Sequence, residues 1–210
     1  MEQLKQNEII KSISFDETEI LNNILSLYLP SREIDLDPTY SKGNVYKGLN
    51  ISIKLKFDLN PLSEDVKQSD CRSLPVQDDT VLSIFYDPPF LCSAPPKPSD
   101  KGIMRSRFGT YKNIEELWSF YDDSLREFYR IMKNSGVLIV KSQDTVDCRK
   151  QYLSHVFLIN KATQIGFYCK DLFVYLAKNR ITDKRKQQHA RKFHSYYLVF
   201  LKNKTVIKYF

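Results

Sequence analysis

The chain has no apolar run near the roughly 20 residues that cross a bilayer, and its opening residues, Met1 to Lys11, lack the apolar stretch of a signal peptide. These absences predict a soluble, intracellular protein without a membrane partner. Cysteine is scarce. Cys71, Cys92, Cys148 and Cys169 form no CxxC pair and have no histidine at ligand spacing. Neither a zinc site nor a disulfide framework is supported, no metal is expected, and all four read as reduced thiols. Glycine and proline are sparse as well, at 6 and 9 residues, which excludes collagen-like and low-complexity classes. The chain does have 42% hydrophobic and 13% aromatic residues over 210 positions. That is enough for one well-buried core and too little for two ordinary catalytic domains, so a single domain over 1–210 is expected.

The net charge of +7 is concentrated in one place. Between Lys178 and Lys192 lie Lys178, Arg180, Lys184, Arg185, Lys186, Arg191 and Lys192 against Asp183 alone, which is +6 of the total. A basic block in an otherwise balanced chain points to a polyanion, nucleic acid before membrane, because no amphipathic helix accompanies it. On composition alone a solvated charged loop is the simpler account.

Periodicity predicts an α/β chain. Ile9, Ile10, Ile13, Ile20, Leu21, Ile24, Leu25 and Tyr28 recur at helical spacing up to Pro30, so the first thirty residues are expected to be helical. Short alternating or apolar runs at 33–37, 51–57, 81–86 and 137–140 read as strands. Residues 114–133 and 152–165 read as helices, the first closed by Asn134-Ser135-Gly136 and the second by Gly166. Residues 167–177 and 196–201 read as two terminal strands, able to pair antiparallel at an edge. Residues 91–112, with Pro95, Pro96, Pro98, Gly102 and Gly109, form a long loop or lid, and 178–194 a basic loop. Strands alternating with helices imply a doubly wound, mostly parallel sheet whose ligands sit at the carboxyl ends of the strands.

Those ends carry the polar chemistry. The sharpest is Asp87-Pro88-Pro89-Phe90, after an almost wholly apolar strand. In this tetrad the chain resembles the class I methyltransferases that use S-adenosylmethionine (SAM), in particular those that modify exocyclic base amines. The resemblance runs from about Ile34 to Phe200 and implies a Rossmann-like fold with an antiparallel terminal strand. It implies a methyl transfer to the exocyclic amine of a DNA base, adenine N6 first, in a small phage- or bacterium-like enzyme of the cytoplasm. An amine delocalised into a base ring is a poor nucleophile, and acceptors for both its hydrogens localise the lone pair. Asp87 and the Pro88 carbonyl are the candidate acceptors. Pro88 and Pro89 stiffen the turn, and Phe90 offers a face for an extruded base.

The resemblance also implies a cofactor site. Asp37, Thr39, Tyr40 and Gly43 occupy the place of a glycine-rich first motif, although only Gly43 supplies glycine there. Asp58 takes the place of the acid that binds the ribose hydroxyls, and Asp70 that of the group meeting the adenine amine. In the basic loop, Arg185, Lys186, Arg191 and Lys192 read as phosphate contacts, with His189 beside them and Phe193 or His194 as a second stacking wall. His155, on the expected second helix, reads as a packing residue. Alternatives are an RNA or protein-glutamine methyltransferase, or a nucleic-acid-binding module that keeps the fold without catalysis.

Overall fold

The computed structural model describes residues 9–90, 92, 111–178 and 188–203. Its strands are β1 (Ile13–Ser14), β2 (Glu33–Asp37), β3 (Ser52–Asp58), β4 (Lys67–Gln68), β5 (Val81–Tyr86), β6 (Met132–Ser142), β7 (Thr145–Asp147), β8 (Lys150–Tyr152), β9 (Phe167–Leu176) and β10 (His194–Lys202). The helices are α1 (Glu17–Tyr28), α2 (Ile114–Ile131) and α3 (Ser154–Ile165), with a 3-10 turn at Asn44–Tyr46.

Eight strands form one sheet in the order β1-β9-β10-β6-β5-β2-β3-β4, and β7 and β8 make a separate hairpin. The run from β6 to β4 is parallel, whereas β10 pairs antiparallel with both β6 and β9. Alternation along the central strands sorts their side chains to two faces. Tyr86, Leu138, Val140, Leu198 and Phe200 pack with Leu117, Leu125 and Phe128 of α2. Phe85, Ile139, Tyr197 and Val199 pack with Ile20, Leu21, Ile24 and Leu25 of α1. A sheet covered on both sides needs strands as apolar as β5, which is why that run reads without polar alternation.

Local chemistry sets the helix ends. The Asp16 carboxylate accepts from the Thr18 amide at the start of α1. Asn113 accepts from the Glu116 amide while Glu116 reaches back to the Lys112 amide, a reciprocal cap on α2. Gly166 ends α3 at a φ of 126°, which disfavours any side chain.

The structure corrects several expectations. Residues 9–28 are not one helix: Asp16 caps α1, and Ile13–Ser14 instead forms β1, parallel to β9 at the sheet edge. The terminal strands do pair antiparallel, but not as a free edge: β10 lies inside the sheet between β6 and β9, and β1 pairs the outer side of β9. Asn134-Ser135-Gly136 breaks no helix. It forms a bulge in β6, where the pairing of β5 skips from Met132 to Val137 and Ser135 takes a φ of 65°. Tyr152 belongs to β8, so α3 begins two residues later than expected. The basic loop ends at Phe193, because His194 already belongs to β10. The interior of the 91–112 loop and residues 179–187 lie outside the described residues. No described helix is long and apolar enough to cross a membrane.

Candidate active site

After β2 the chain runs outward through β3 and β4, then returns to β5 on the other side of β2. The carboxyl ends of β2 and β5 therefore open a crevice between diverging connections, the position where such sheets bind ligands. A hydrogen bond bridges it: the Asp87 amide donates to Thr39 Oγ1 at 3.1 Å.

Asp37 closes β2 and is buried. Tyr46 donates its hydroxyl to Asp37 Oδ2 at 2.6 Å, and the Thr39 amide donates to Oδ1 at 2.8 Å. Burial nonetheless dominates and pushes the carboxyl up to about 7, with repulsion from Asp87 and Asp58 adding to it and the two hydrogen bonds opposing. Asp58, at the end of β3, folds the loop back. Its Oδ2 accepts from the Ser41 amide at 2.8 Å and its Oδ1 from the Asn60 amide at 2.8 Å. Gly43 turns that loop at a φ of 62°, and the Tyr40 ring lies where a Cβ would sit. The glycine is thus required by Tyr40 and by the backbone angle.

Asp87 sits above β5 with its side chain one-third exposed. Burial holds its carboxyl above the ordinary range and Glu17 adds repulsion, while Lys141 opposes both. The Lys141 ammonium lies 2.8 Å from Glu17 and 3.5 Å from Asp87, and the Tyr197 hydroxyl donates to Glu17 at 2.6 Å. Burial alone would lower the Lys141 pKa, yet the two carboxylates outweigh it and the net shift is upward. The turn after Asp87 is fixed from the other face, where the Tyr121 hydroxyl donates to the Pro89 carbonyl at 2.6 Å. Among the described residues the Pro88 carbonyl takes no hydrogen bond.

A cleft of about 340 Å³ opens between these groups, lined by Thr39, Asp58, Asp70, Asp87 and Pro89, with Glu116, Ser119 and Phe120 of α2 as its far wall. Of the residues expected from sequence, Thr39, Asp58, Asp70, Asp87 and Pro89 meet here. Asp37 stands behind them, and Tyr40 and Gly43 shape the loop without lining the cleft. Phe90 is half-buried beside it. Asp70 is gripped by Arg72, which holds its carboxyl below the ordinary range. Among the described residues no group of three or more His, Cys, Asp or Glu is placed to hold a metal.

The basic segment is only partly in view. Arg185 and Lys186 lie outside the described residues. Residues 188–193 are described, and His189 Nε2 lies 2.9 Å from the Arg149 carbonyl in the β7–β8 turn. His194 joins a packed group instead of standing free: Tyr196 Oη is 3.0 Å from His194 Nε2, and the Tyr196 ring stacks on His155 at 4.1 Å. His155 in turn holds Asp144 at 2.7 Å. Sequence reasoning missed Lys141, Glu17 and Tyr121 as site residues. Lys141 stood in a polar strand end, but nothing local connects it to Glu17.

The chain matches no family model and no curated protein. Solved structures do resemble it. A Thermus thermophilus protein assigned as a DNA modification methylase, complexed with S-adenosyl-L-methionine, is 17% identical at a TM-score of 0.46 over 67% of this chain. This chain spans 53–56% of that protein's length. A SAM-dependent methyltransferase of Methanosarcina mazei aligns over 86% of this chain and 97% of its own, at 12% identity and a TM-score of 0.52. A Haloferax volcanii protein assigned as a methyltransferase, in complex with the Trm112 methyltransferase activator, covers 90% of each chain at 14% identity and 0.52. With its parallel β6-β5-β2-β3-β4 run and the antiparallel β10 inserted beside it, and with its likeness to the Methanosarcina and Haloferax structures, the chain has the class I SAM-dependent methyltransferase fold.

Proposed function

We propose that this chain is a SAM-dependent methyltransferase acting on the exocyclic amine of a base in DNA, adenine N6 first. A fold does not choose a reaction. The observation that carries the reading is the meeting of Asp58, Asp70, Asp87 and Pro89 around one cleft at the switch point of the sheet, with Asp37 buried behind them and within reach of the Asp58 and Asp87 charges.

The residues fit SAM on their own chemistry. Carboxylates crowded together, one of them raised to about 7 partly by its neighbours, call for a cation, and SAM carries a sulfonium and an ammonium. Asp58 spends two of its roughly four acceptor positions on backbone amides, leaving others for ribose hydroxyls. Asp70, fixed by Arg72, faces the same cleft and suits an adenine amine. When bound, SAM supplies a methyl group activated by its positive sulfur.

On the substrate side, Asp87 and the Pro88 carbonyl accept the two amine hydrogens and localise the lone pair. Tyr121 holds the neighbouring carbonyl, so the turn stays rigid while the base enters. Lys141 favours the ionised form of Asp87, the form that accepts hydrogens. Phe90 and Phe193 supply apolar faces for the extruded base, and Arg191 and Lys192, with Arg185, Lys186 and His189, hold the strand.

Labelled SAM offered with DNA, RNA and protein substrates tests the assignment. DNA is expected to accept the methyl group. Transfer to RNA or to a protein glutamine alone would move the substrate and keep the reaction, and SAM binding without any transfer would leave a binding module. Asp58→Ala is expected to weaken SAM binding by about 1.5–3 kcal/mol, the range for hydrogen bonds to a charged group. Asp87→Ala is expected to abolish transfer with SAM affinity largely kept, and native turnover in that variant sinks the amino-methyltransferase reading.

A further inference from the structure

The β7–β8 hairpin follows β6 after only Gln143 and Asp144, so it projects from the same carboxyl end of the sheet as the Asp87 turn. Its turn is unusual. Cys148 and Arg149 both take positive φ, 46° and 65°, a shape that two-residue hairpins favour but that normally recruits glycine or asparagine. Holding two non-glycine residues there costs about 1–3 kcal/mol each, so surrounding contacts must enforce it. The base of the hairpin is anchored, since Tyr152 of β8 meets Trp118 edge-on at 5.8 Å and Trp118 stacks on Phe157 at 4.4 Å. His189 ties residues 188–193 to the Arg149 carbonyl from outside.

We propose that this hairpin and residues 188–193 together form the surface on which the DNA backbone lies, with Arg149 and Lys150 as phosphate contacts beside Arg191 and Lys192. The charge is one-signed: against these four cations the two segments carry only Asp147. Among the described residues neither Arg149, Lys150 nor Lys192 has a carboxylate partner, and Arg149, Lys150 and Arg191 are exposed. Ion-paired surface cations would need no ligand, and among the described residues Arg149, Lys150 and Lys192 lack such pairing. Val146, Leu153 and Phe193 stand exposed on the same two segments and their junction with α3, giving apolar contact to sugars and bases next to the phosphates. The hairpin's anchored base, the His189 contact at its turn and its place beside the Asp87 end fit an element that sets the position of a duplex over the cleft. This surface rests on the nucleic-acid part of the proposed function and on nothing in the SAM site.

The test is Arg149→Glu/Lys150→Glu, with Arg149→Gln/Lys150→Gln as a milder pair, on the full chain. A short labelled DNA duplex is titrated at several salt concentrations, and SAM is titrated separately by calorimetry. Expected are unchanged SAM affinity, a roughly tenfold or greater loss of duplex affinity, and a log–log salt slope flatter by about 1.8, the value for two phosphate contacts. Duplex affinity and slope equal to wild type in both pairs overturn the proposal. So does a wild-type chain that binds SAM but no duplex, and that outcome leaves the methyltransferase reading standing. Conversely, a chain that binds no SAM but loses duplex affinity in the variants upholds this surface and removes the enzyme reading. Binding to RNA alone, or competition by poly-glutamate as effective as by unlabelled duplex, overturns the DNA assignment.

Discussion

Asp37 and Asp87 are carboxylates whose charge the fold controls. Asp37 is raised from 3.8 to about 7 chiefly by burial. Between those values the folded chain holds a proton that the unfolded chain has released, so this group's contribution to stability falls as pH rises through that window. A cation in the cleft favours the ionised form. SAM binding near pH 7 should therefore expel a proton, and SAM affinity should rise across roughly pH 6 to 8. Calorimetry in buffers of different ionisation enthalpy reads that proton directly, and Asp37→Asn is expected to silence it; a binding enthalpy indifferent to the buffer rejects the assignment. Asp87 makes the complementary case. Lys141 is the cation that opposes its upward shift, so Lys141→Met should move the acid limb of the pH–rate profile to higher pH. Lys141→Arg should move it back. A profile that falls uniformly at every pH marks Lys141 as a packing residue only.

Elements differ in how they are specified, and Gly166 shows a strict case. Its φ of 126° and the Tyr129 ring within 3.0 Å of a hypothetical Cβ leave no room for a side chain. Gly166→Ala is expected to cost about 1–3 kcal/mol in a urea titration while SAM affinity in the folded protein stays unchanged. A midpoint unmoved by the substitution refutes this. That glycine was legible because an amphipathic run ended at it. The strands β2, β3 and β5 were legible within a residue or so for a similar reason, their apolar residues alternating or running unbroken. The start of β6 and the β7–β8 hairpin were not. Lys133 to Gly136 bulge outward, so they keep no period, and the hairpin turn uses Cys148 and Arg149 where sequence reasoning looks for glycine or asparagine. In the site, the aspartates at strand ends could be read from position alone. Glu17 and Tyr121 could not, because Glu17 reaches Lys141 and Tyr121 reaches the Pro89 carbonyl, each from a helix whose placement depends on packing across the whole sheet.

Across the molecule the two signs of charge are kept apart at one end of the sheet. The cleft is acidic, lined by Asp58, Asp70 and Asp87 with Asp37 buried behind them, whereas the hairpin and residues 188–193 beyond the end of β6 are basic. A cofactor cation and a polyanion would each find a matching field, yet the acidic cleft also repels phosphates passing over it. SAM binding relieves part of that repulsion, and its demethylated product, which lacks the sulfonium charge, relieves one elementary charge less. One charge at about 10 Å in water is worth ~0.4 kcal/mol, close to a twofold change in affinity. The chain should therefore hold a DNA duplex about twice as tightly with SAM bound as with S-adenosylhomocysteine, so the product complex releases its duplex sooner. By linkage the duplex should raise SAM affinity by the same factor relative to the product. Screening sets the signature. With a Debye length of about 10 Å at 0.1 M salt and about 3 Å at 1 M, the difference should shrink steadily and vanish at high salt. Duplex titrations with either nucleoside present, repeated over salt, measure it. A preference for the SAM complex that survives 1 M salt would point to a conformational coupling, and equal affinities at low salt would show that cleft and basic surface do not sense each other's charge.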